Sequence, residues 1–170
     1  MAKNSNSDNK TNLNRRKILS GTAALVSSAS INTPFISNAS PNKSPLKLGL
    51  IGCGGRGTGA ANQALTADQD ITLTTVADVS ENNANGAITN LKKRHPEKVG
   101  DPKKFIGIDA YKKVIAESDV VILTTPPGFR PMMLREAVEA GKHVFCEKPV
   151  AVDATGVRSV IESAKIAKGK

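Results

Sequence analysis

Along residues 46–167 the chain alternates two hydrophobic patterns: short unbroken apolar runs, and longer stretches whose apolar positions recur every three or four residues. The first kind reads as buried strands and the second as amphipathic helices. Residues 47–52 (KLGLIG), 71–77 (ITLTTVA), 105–106 (FI), 119–124 (DVVILT) and 143–146 (HVFC) are the predicted strands. The intervening pattern predicts a helix over 58–67 and another, capped by Ser80, in which Ala84, Ile88 and Leu91 share a face. A brief helix follows Asp109 and carries Tyr111, Val114 and Ile115. The next has Pro131 in its first turn, an apolar stripe of Met133, Leu134, Ala137 and Val138, and Gly141 at its end. A last helix is expected to begin at Asp153 or Thr155 and to reach about residue 167. Strands alternating with helices in this way predict an α/β fold, a doubly wound parallel (Rossmann) sheet with helices on both faces and strand order 3-2-1-4-5. The strand due after the last helix has not begun by Lys170, so the sheet is expected to lack it.

Residues 1–39 follow neither pattern. They are polar as far as Asn14-Arg15-Arg16-Lys17-Ile18-Leu19, then uncharged, mildly apolar and rich in Ser, Thr and Ala, with Pro34 interrupting them. Such a span is too polar and too broken for a membrane-crossing helix. A basic segment, a short apolar stretch and small residues at Ser37 and Ala39 predict a signal peptide cleaved after Ala39. The paired arginines ahead of Ile18-Leu19 resemble the twin-arginine export signal, with Asn14 where Ser is usual and Ile18 in place of the common Phe. The expected organisation is therefore a signal at 1–39 and one nucleotide-binding domain at 40–170. The expected location is periplasmic or otherwise exported, with the twin-arginine machinery as partner.

Charge changes this picture little. Of the net +9, residues 1–39 hold +4, five basic residues against Asp8, and the remaining bases are spread without interleaved aromatics. No nucleic-acid surface is expected from that distribution. Cys53 and Cys146 are too few for a disulfide framework, and no metal-ligand spacing is present. They follow strands two places apart in the expected order, roughly 10 Å at sheet spacing, and are read as free thiols. His95 and His143 are read as surface or packing residues.

The first strand runs into six glycines within eleven residues, and Gly52-Cys53-Gly54-Gly55-Arg56-Gly57 satisfies G-x-G-x-x-G. Strand, glycine turn, helix and an acid 21 residues beyond the last glycine, Asp78, together point to a dinucleotide site. Gly52 suits a tight turn, Gly54 a close approach to pyrophosphate and Gly57 close helix packing, while the helix N-terminus offers N–H groups to phosphate. Asp78 suits the ribose hydroxyls of NAD and would repel the extra phosphate of NADP, so NAD is the expected cofactor and NADP the lesser one. Arg56 is open between a phosphate contact and solvent. Thr124-Thr125-Pro126-Pro127 ends the fourth strand and Glu147-Lys148-Pro149 follows the fifth, on the edge where ligands of such sheets lie.

The order G-C-G-G-R-G, A-D-V, T-T-P-P-G-F-R-P and E-A-G-K-H-V-F-C-E-K-P, within residues 46–164, resembles the glucose–fructose oxidoreductase/inositol dehydrogenase (Gfo/Idh/MocA) family. E-K-P is its most specific marker. The resemblance implies an oxidoreductase transferring hydride between NAD(P) and a sugar or polyol. It places Lys148 as the catalytic residue beside nicotinamide and substrate, and Pro149 as the residue that aims it, through a cis junction. An ammonium beside a developing alkoxide stabilises its charge and can share its proton. The cofactor-binding set so implied is Gly52, Cys53, Gly54, Gly55, Arg56, Gly57, Asp78, Thr124, Thr125, Pro126, Glu147, Lys148 and Pro149. Gly128 stands where many relatives carry His. The resemblance also implies a second α+β domain that supplies an Asp and a His for proton transfer, and these 170 residues lack it. The chain alone is then expected to bind nucleotide without turnover. The alternatives are a truncated, non-catalytic fragment, or a relative that uses NAD for glycoside cleavage; the intact E-K-P leans toward a dehydrogenase.

Overall fold

The structure, a computed structural model, describes residues 44–168. The signal assigned to residues 1–39 lies outside them. Five strands form one parallel sheet: β1 (Leu46–Ile51), β2 (Ile71–Asp78), β3 (Lys103–Ile106), β4 (Val120–Leu123) and β5 (His143–Cys146), in the order β3-β2-β1-β4-β5. The helices are α1 (Gly55–Ala67), α2 (Glu81–Arg94), α3 (Ala110–Glu117), α4 (Arg130–Glu139) and α5 (Ala154–Lys168).

The side-chain alternation of the central strands sorts the core into two halves. Leu48 and Leu50 of β1 and Ile122 of β4 face α1 and α2, where Ala60, Ala61, Leu65, Ala84, Ala87 and Leu91 meet them. Ile51, Val121 and Leu123 point the other way, against Tyr111, Val114 and Ile115 of α3 and Met133 and Ala137 of α4. A leucine or valine removed from water in this way contributes about 1.5–3 kcal/mol, so the burial on both faces of β1 and β4 makes them the spine of the sheet. The two central strands end, at their carboxyl edge, directly beneath the glycine turn and the Thr124-Thr125 turn.

The expected order of strands is the observed one, and the differences are at element ends. Helix α1 starts at Gly55, three residues before the predicted start, so Gly55-Arg56-Gly57 is its first turn. The hydrophobic period could not register this, because glycines carry no side chain to mark a face. Strand β3 extends back to Lys103, and β4 is two residues shorter than its apolar run. The flanking N–H groups of Asp119 and Thr124 still donate to Lys47 and Ile51 of β1. Ser80 caps α2 as predicted, its Oγ accepting from the Asn83 N–H, and Asp153 Oδ1 accepts from the Gly156 N–H at the start of α5. No helix among the described residues is long and apolar enough to cross a membrane.

Candidate functional site

The glycine turn is shaped by what cannot fit in it. Gly52 leaves β1 at φ +93°, and a Cβ there would lie 2.8 Å from the Thr124 carbonyl carbon and the Thr125 nitrogen. A Cβ on Gly57 would run into the Gly52 carbonyl oxygen and come within 2.6 Å of Thr124 Oγ1. Thr124 occupies the space so left, donating its hydroxyl to the Gly52 carbonyl at 2.7 Å. Gly54 and Gly55 differ: nothing lies within 4 Å of where their Cβ atoms would be. Their open side adjoins the start of α1, which has no side-chain cap and whose first intrahelical bond runs from the Thr58 N–H to the Gly54 carbonyl. First-turn N–H groups have no acceptor within a helix, and the helix dipole leaves them partly positive. The turn thus offers donors, positive potential and room for backbone approach, which are the requirements of a pyrophosphate.

Asp78 ends β2 beside this turn. Its Oδ2 accepts the Cys53 N–H at 2.7 Å, and its Oδ1 accepts the Ser80 N–H at 2.8 Å and the Asn83 side-chain amide at 3.4 Å. The carboxylate therefore ties the glycine turn to the β2–α2 turn while Ser80 does the capping. Oδ2, with its single bond, keeps acceptor capacity for a further donor. Cys53 lies beneath, with its thiol toward the Ala77 carbonyl, and burial reinforced by the Asp78 charge pushes its pKa up to about 12. Both cysteines are free thiols.

A cleft of about 610 Å³ runs along the carboxyl edge of the strands, lined by Gly52, Gly54, Asp78, Thr124, Thr125 and Pro126 of the predicted set. Val79, Ile108 and Phe129, apolar and 68%, 63% and 44% exposed, line it as well. Exposed apolar groups flanking a carboxylate suit a flat, partly apolar ligand with hydroxyls. Gly55, Arg56 and Gly57 lie in the first turn of α1, and Cys53 sits below. The turn of Glu147, Lys148 and Pro149 does not line the cleft; it adjoins through two arginines. Arg56, left open between phosphate and solvent in the sequence, pairs with Glu147: its Nε donates at 2.8 Å to Oε2, which Nη2 also reaches. Glu147 is only 6% exposed, and the guanidinium holds its carboxyl below the usual carboxylate range.

Arg130 was assigned no role from sequence and is only 5% exposed. Its Nε donates to the Thr125 carbonyl at 2.6 Å, and its Nη1 donates to the carbonyls of Glu147, at 2.6 Å, and Pro149. A signal for it existed. A basic residue in the first turn of a helix opposes the dipole, so something else must hold it there. Lys148 itself is exposed, and no hydrogen bond or salt bridge of its ammonium is present among the described residues. The Lys148–Pro149 bond is cis. His95 caps the end of α2 and pairs with Asn62 at 3.0 Å, His143 opens β5 on the surface, and neither lines the cleft.

Comparison with known proteins agrees with this geometry. The family described as "Oxidoreductase family, NAD-binding Rossmann fold" (GFO_IDH_MocA) matches residues 46–170. An inositol 2-dehydrogenase of Cereibacter sphaeroides is 30% identical over 118 residues, which are 69% of this chain and 32% of that protein. Among solved structures, the myo-inositol 2-dehydrogenase of Lactobacillus plantarum superposes with a TM-score of 0.57 at 28% identity, covering 74% of this chain and 33% of that one. The WlbA dehydrogenase of Chromobacterium violaceum, solved with NADH and UDP-GlcNAcA, gives 0.55 at 27% identity, covering 75% and 34%. The chain spans about a third of the length of the relatives it matches. With its glycine turn, Asp78 and the turn of Lys148 on one sheet edge, the chain belongs to the Gfo/Idh/MocA oxidoreductases, and residues 46–170 are their NAD-binding Rossmann domain.

Proposed function

We propose that this chain is the nucleotide-binding part of an exported oxidoreductase that moves hydride between NAD and a hydroxyl or carbonyl carbon of a sugar or polyol. The observation that carries the proposal is the linkage of the glycine turn to the Lys148 turn through Arg56 and Glu147. It joins a dinucleotide cradle to an exposed ammonium on one sheet edge. The first-turn N–H groups of α1 would hold the pyrophosphate, Asp78 the adenosine ribose, and Val79 and Ile108 would flank the base. Thr124, Thr125 and Pro126 would wall the path toward Lys148. When bound, NAD supplies the hydride acceptor. Lys148 then donates hydrogen bonds to the reacting oxygen, stabilising the alkoxide and sharing the proton that leaves or returns. Asp78 places a negative charge where NADP carries its extra phosphate, which favours NAD. The inositol dehydrogenases among the relatives support a polyol or sugar as the class of substrate, and Arg15-Arg16 with the uncharged stretch behind it supports twin-arginine export.

The test is a polypeptide that carries this domain together with the remaining two thirds of the relatives' length, assayed with NAD and a panel of polyols and sugars. Lys148→Met is expected to lower turnover by a factor of about 10² or more while leaving NADH affinity within a few-fold. Equal turnover in the two proteins would remove Lys148 from the chemistry. Export is tested separately by fusing residues 1–39 to a reporter. Changing Arg15 and Arg16 to Lys should keep the reporter in the cytoplasm, and unchanged export would refute the twin-arginine assignment.

A further inference from the structure

Three loops meet at the carboxyl edge of the sheet, and side chains close them into a ring. Thr124 donates to the Gly52 carbonyl, joining the β4 turn to the glycine turn. Arg130 joins the β4 turn to the β5 turn through the carbonyls of Thr125, Glu147 and Pro149. Arg56 closes the circuit from the first turn of α1 to the Glu147 carboxylate. The bonds to Glu147 and Pro149 flank Lys148 on both sides, and the Glu147 N–H is itself held by the Leu123 carbonyl at 3.0 Å. Arg130 is buried with only main-chain carbonyls as acceptors, where a hydrophobic residue would suit the apolar stripe of α4 equally well. Its planar fork reaches two loops at once from separate nitrogens held in a fixed geometry, which the single ammonium of a lysine does not reproduce. Glu147 is buried, and its partner Arg56 sits in the turn next to the open side of Gly54 and Gly55.

We infer that Arg130 and the Arg56–Glu147 pair are positioning residues: together they fix the turn that carries Lys148 and transmit occupancy of the glycine turn to it. This rests on the assignment of the cleft to a dinucleotide. Arg130 sets the backbone on either side of Lys148 in the free protein. Arg56 lies in the same helical turn as the phosphate donors, so a dinucleotide seated there presses on the Arg56–Glu147 contact and through it on Lys148. Arg56 thereby acts on Lys148, 92 residues further along the chain, through one carboxylate.

The experiment is NMR on the 170-residue chain with its lysines ¹³C-dimethylated, Lys148 being assigned by the loss of its signal in Lys148→Arg. Parent, Arg130→Lys, Glu147→Gln and Arg56→Gln are compared. Without nucleotide, Arg130→Lys and Glu147→Gln should broaden or split the Lys148 signal and speed exchange of the Glu147 amide by about tenfold or more, while the Leu50 and Val121 amides keep their protection. A Lys148 signal and Glu147 exchange identical to the parent's in all variants would overturn the proposal. So would an equal loss of protection at Leu50 and Val121, which marks a structural role only. If Arg130→Lys does not fold, the half-exposed Arg56 and its Arg56→Gln variant still decide the matter. With saturating NADH the Lys148 signal should move in the parent and move less than half as far in Arg56→Gln and Glu147→Gln; an undiminished shift in both overturns the coupling. A parent that does not respond to NADH at all contradicts the transmission and the dinucleotide assignment, while the nucleotide-free arm still decides whether the brace positions Lys148.

Discussion

The glycine turn after β1 and the Lys148 turn after β5 stand on the same edge of one sheet, yet they are held by opposite means. The first is held by the absence of side chains. Gly52 and Gly57 let two backbones and Thr124 come together at distances that no Cβ tolerates, and Asp78 pins the Cys53 N–H from the side. The second is held by the presence of long ones, with Arg130 and Arg56 reaching across to carbonyls and to a carboxylate. A turn of the first kind fails by collision. A turn of the second kind fails by loosening, and it can loosen without the core being disturbed.

The comparison breaks most sharply at Gly57. Gly57→Val drives a branched side chain against the Gly52 carbonyl and is expected to cost about 3 kcal/mol or more in urea unfolding, because the helix and the strand end must separate. Gly54→Ala, where space is open, is expected to stay within about 0.5 kcal/mol of the parent and to weaken NADH instead, by about tenfold. On the other turn, Arg130→Met leaves three carbonyls without their donor and is expected to cost about 2 kcal/mol in the same measurement. Arg56→Gln should cost less than Arg130→Met, since Arg56 is half-exposed and water can partly take its place beside the Glu147 carboxylate.

How far each turn was legible follows from the same contrast. Glycines, strand alternation and an acid at a set distance are local marks, so strand order could be read from the alternation over residues 46–167, and the glycine turn and the place of Asp78 from residues 46–78. The Arg56–Glu147 bond spans 91 residues, and no periodicity reports a contact between two side chains so far apart. Arg130 lies in the T-T-P-P-G-F-R-P run, and its charge at a helix start is the one mark of its role. The turn of Asp78 toward the Cys53 N–H was equally hidden, because pattern tells which face a residue takes and not which donor it meets.

Smaller effects sharpen the contrast. Arg56 lowers the Glu147 pKa in the folded chain. The stability from that pair is therefore complete above the unfolded-state value, about 4.3, and is lost as pH falls through the lower folded-state value. The stability advantage of the parent over Glu147→Gln, followed by denaturant midpoints from pH 7 to pH 3, should shrink as the pH falls; a constant difference would mean that the charge on Glu147 is not what matters. Least of all, the Cys53 thiol, raised to about 12 under the glycine turn, should resist alkylation at pH 8 until the chain is unfolded, with the half-buried Cys146 reacting first.

The central claim is that the open side of Gly54 and Gly55, with Asp78 beside it, selects NAD. Titrating the amide spectrum of the chain with NADH and then with NADPH tests it directly. The predicted result is that NADH shifts the amides of residues 52–58 and 78–80, and that NADPH does so at least about tenfold more weakly, a preference that Asp78→Ser erases. Shifts confined to other residues, or NADPH binding as tightly as NADH in the parent, would contradict it.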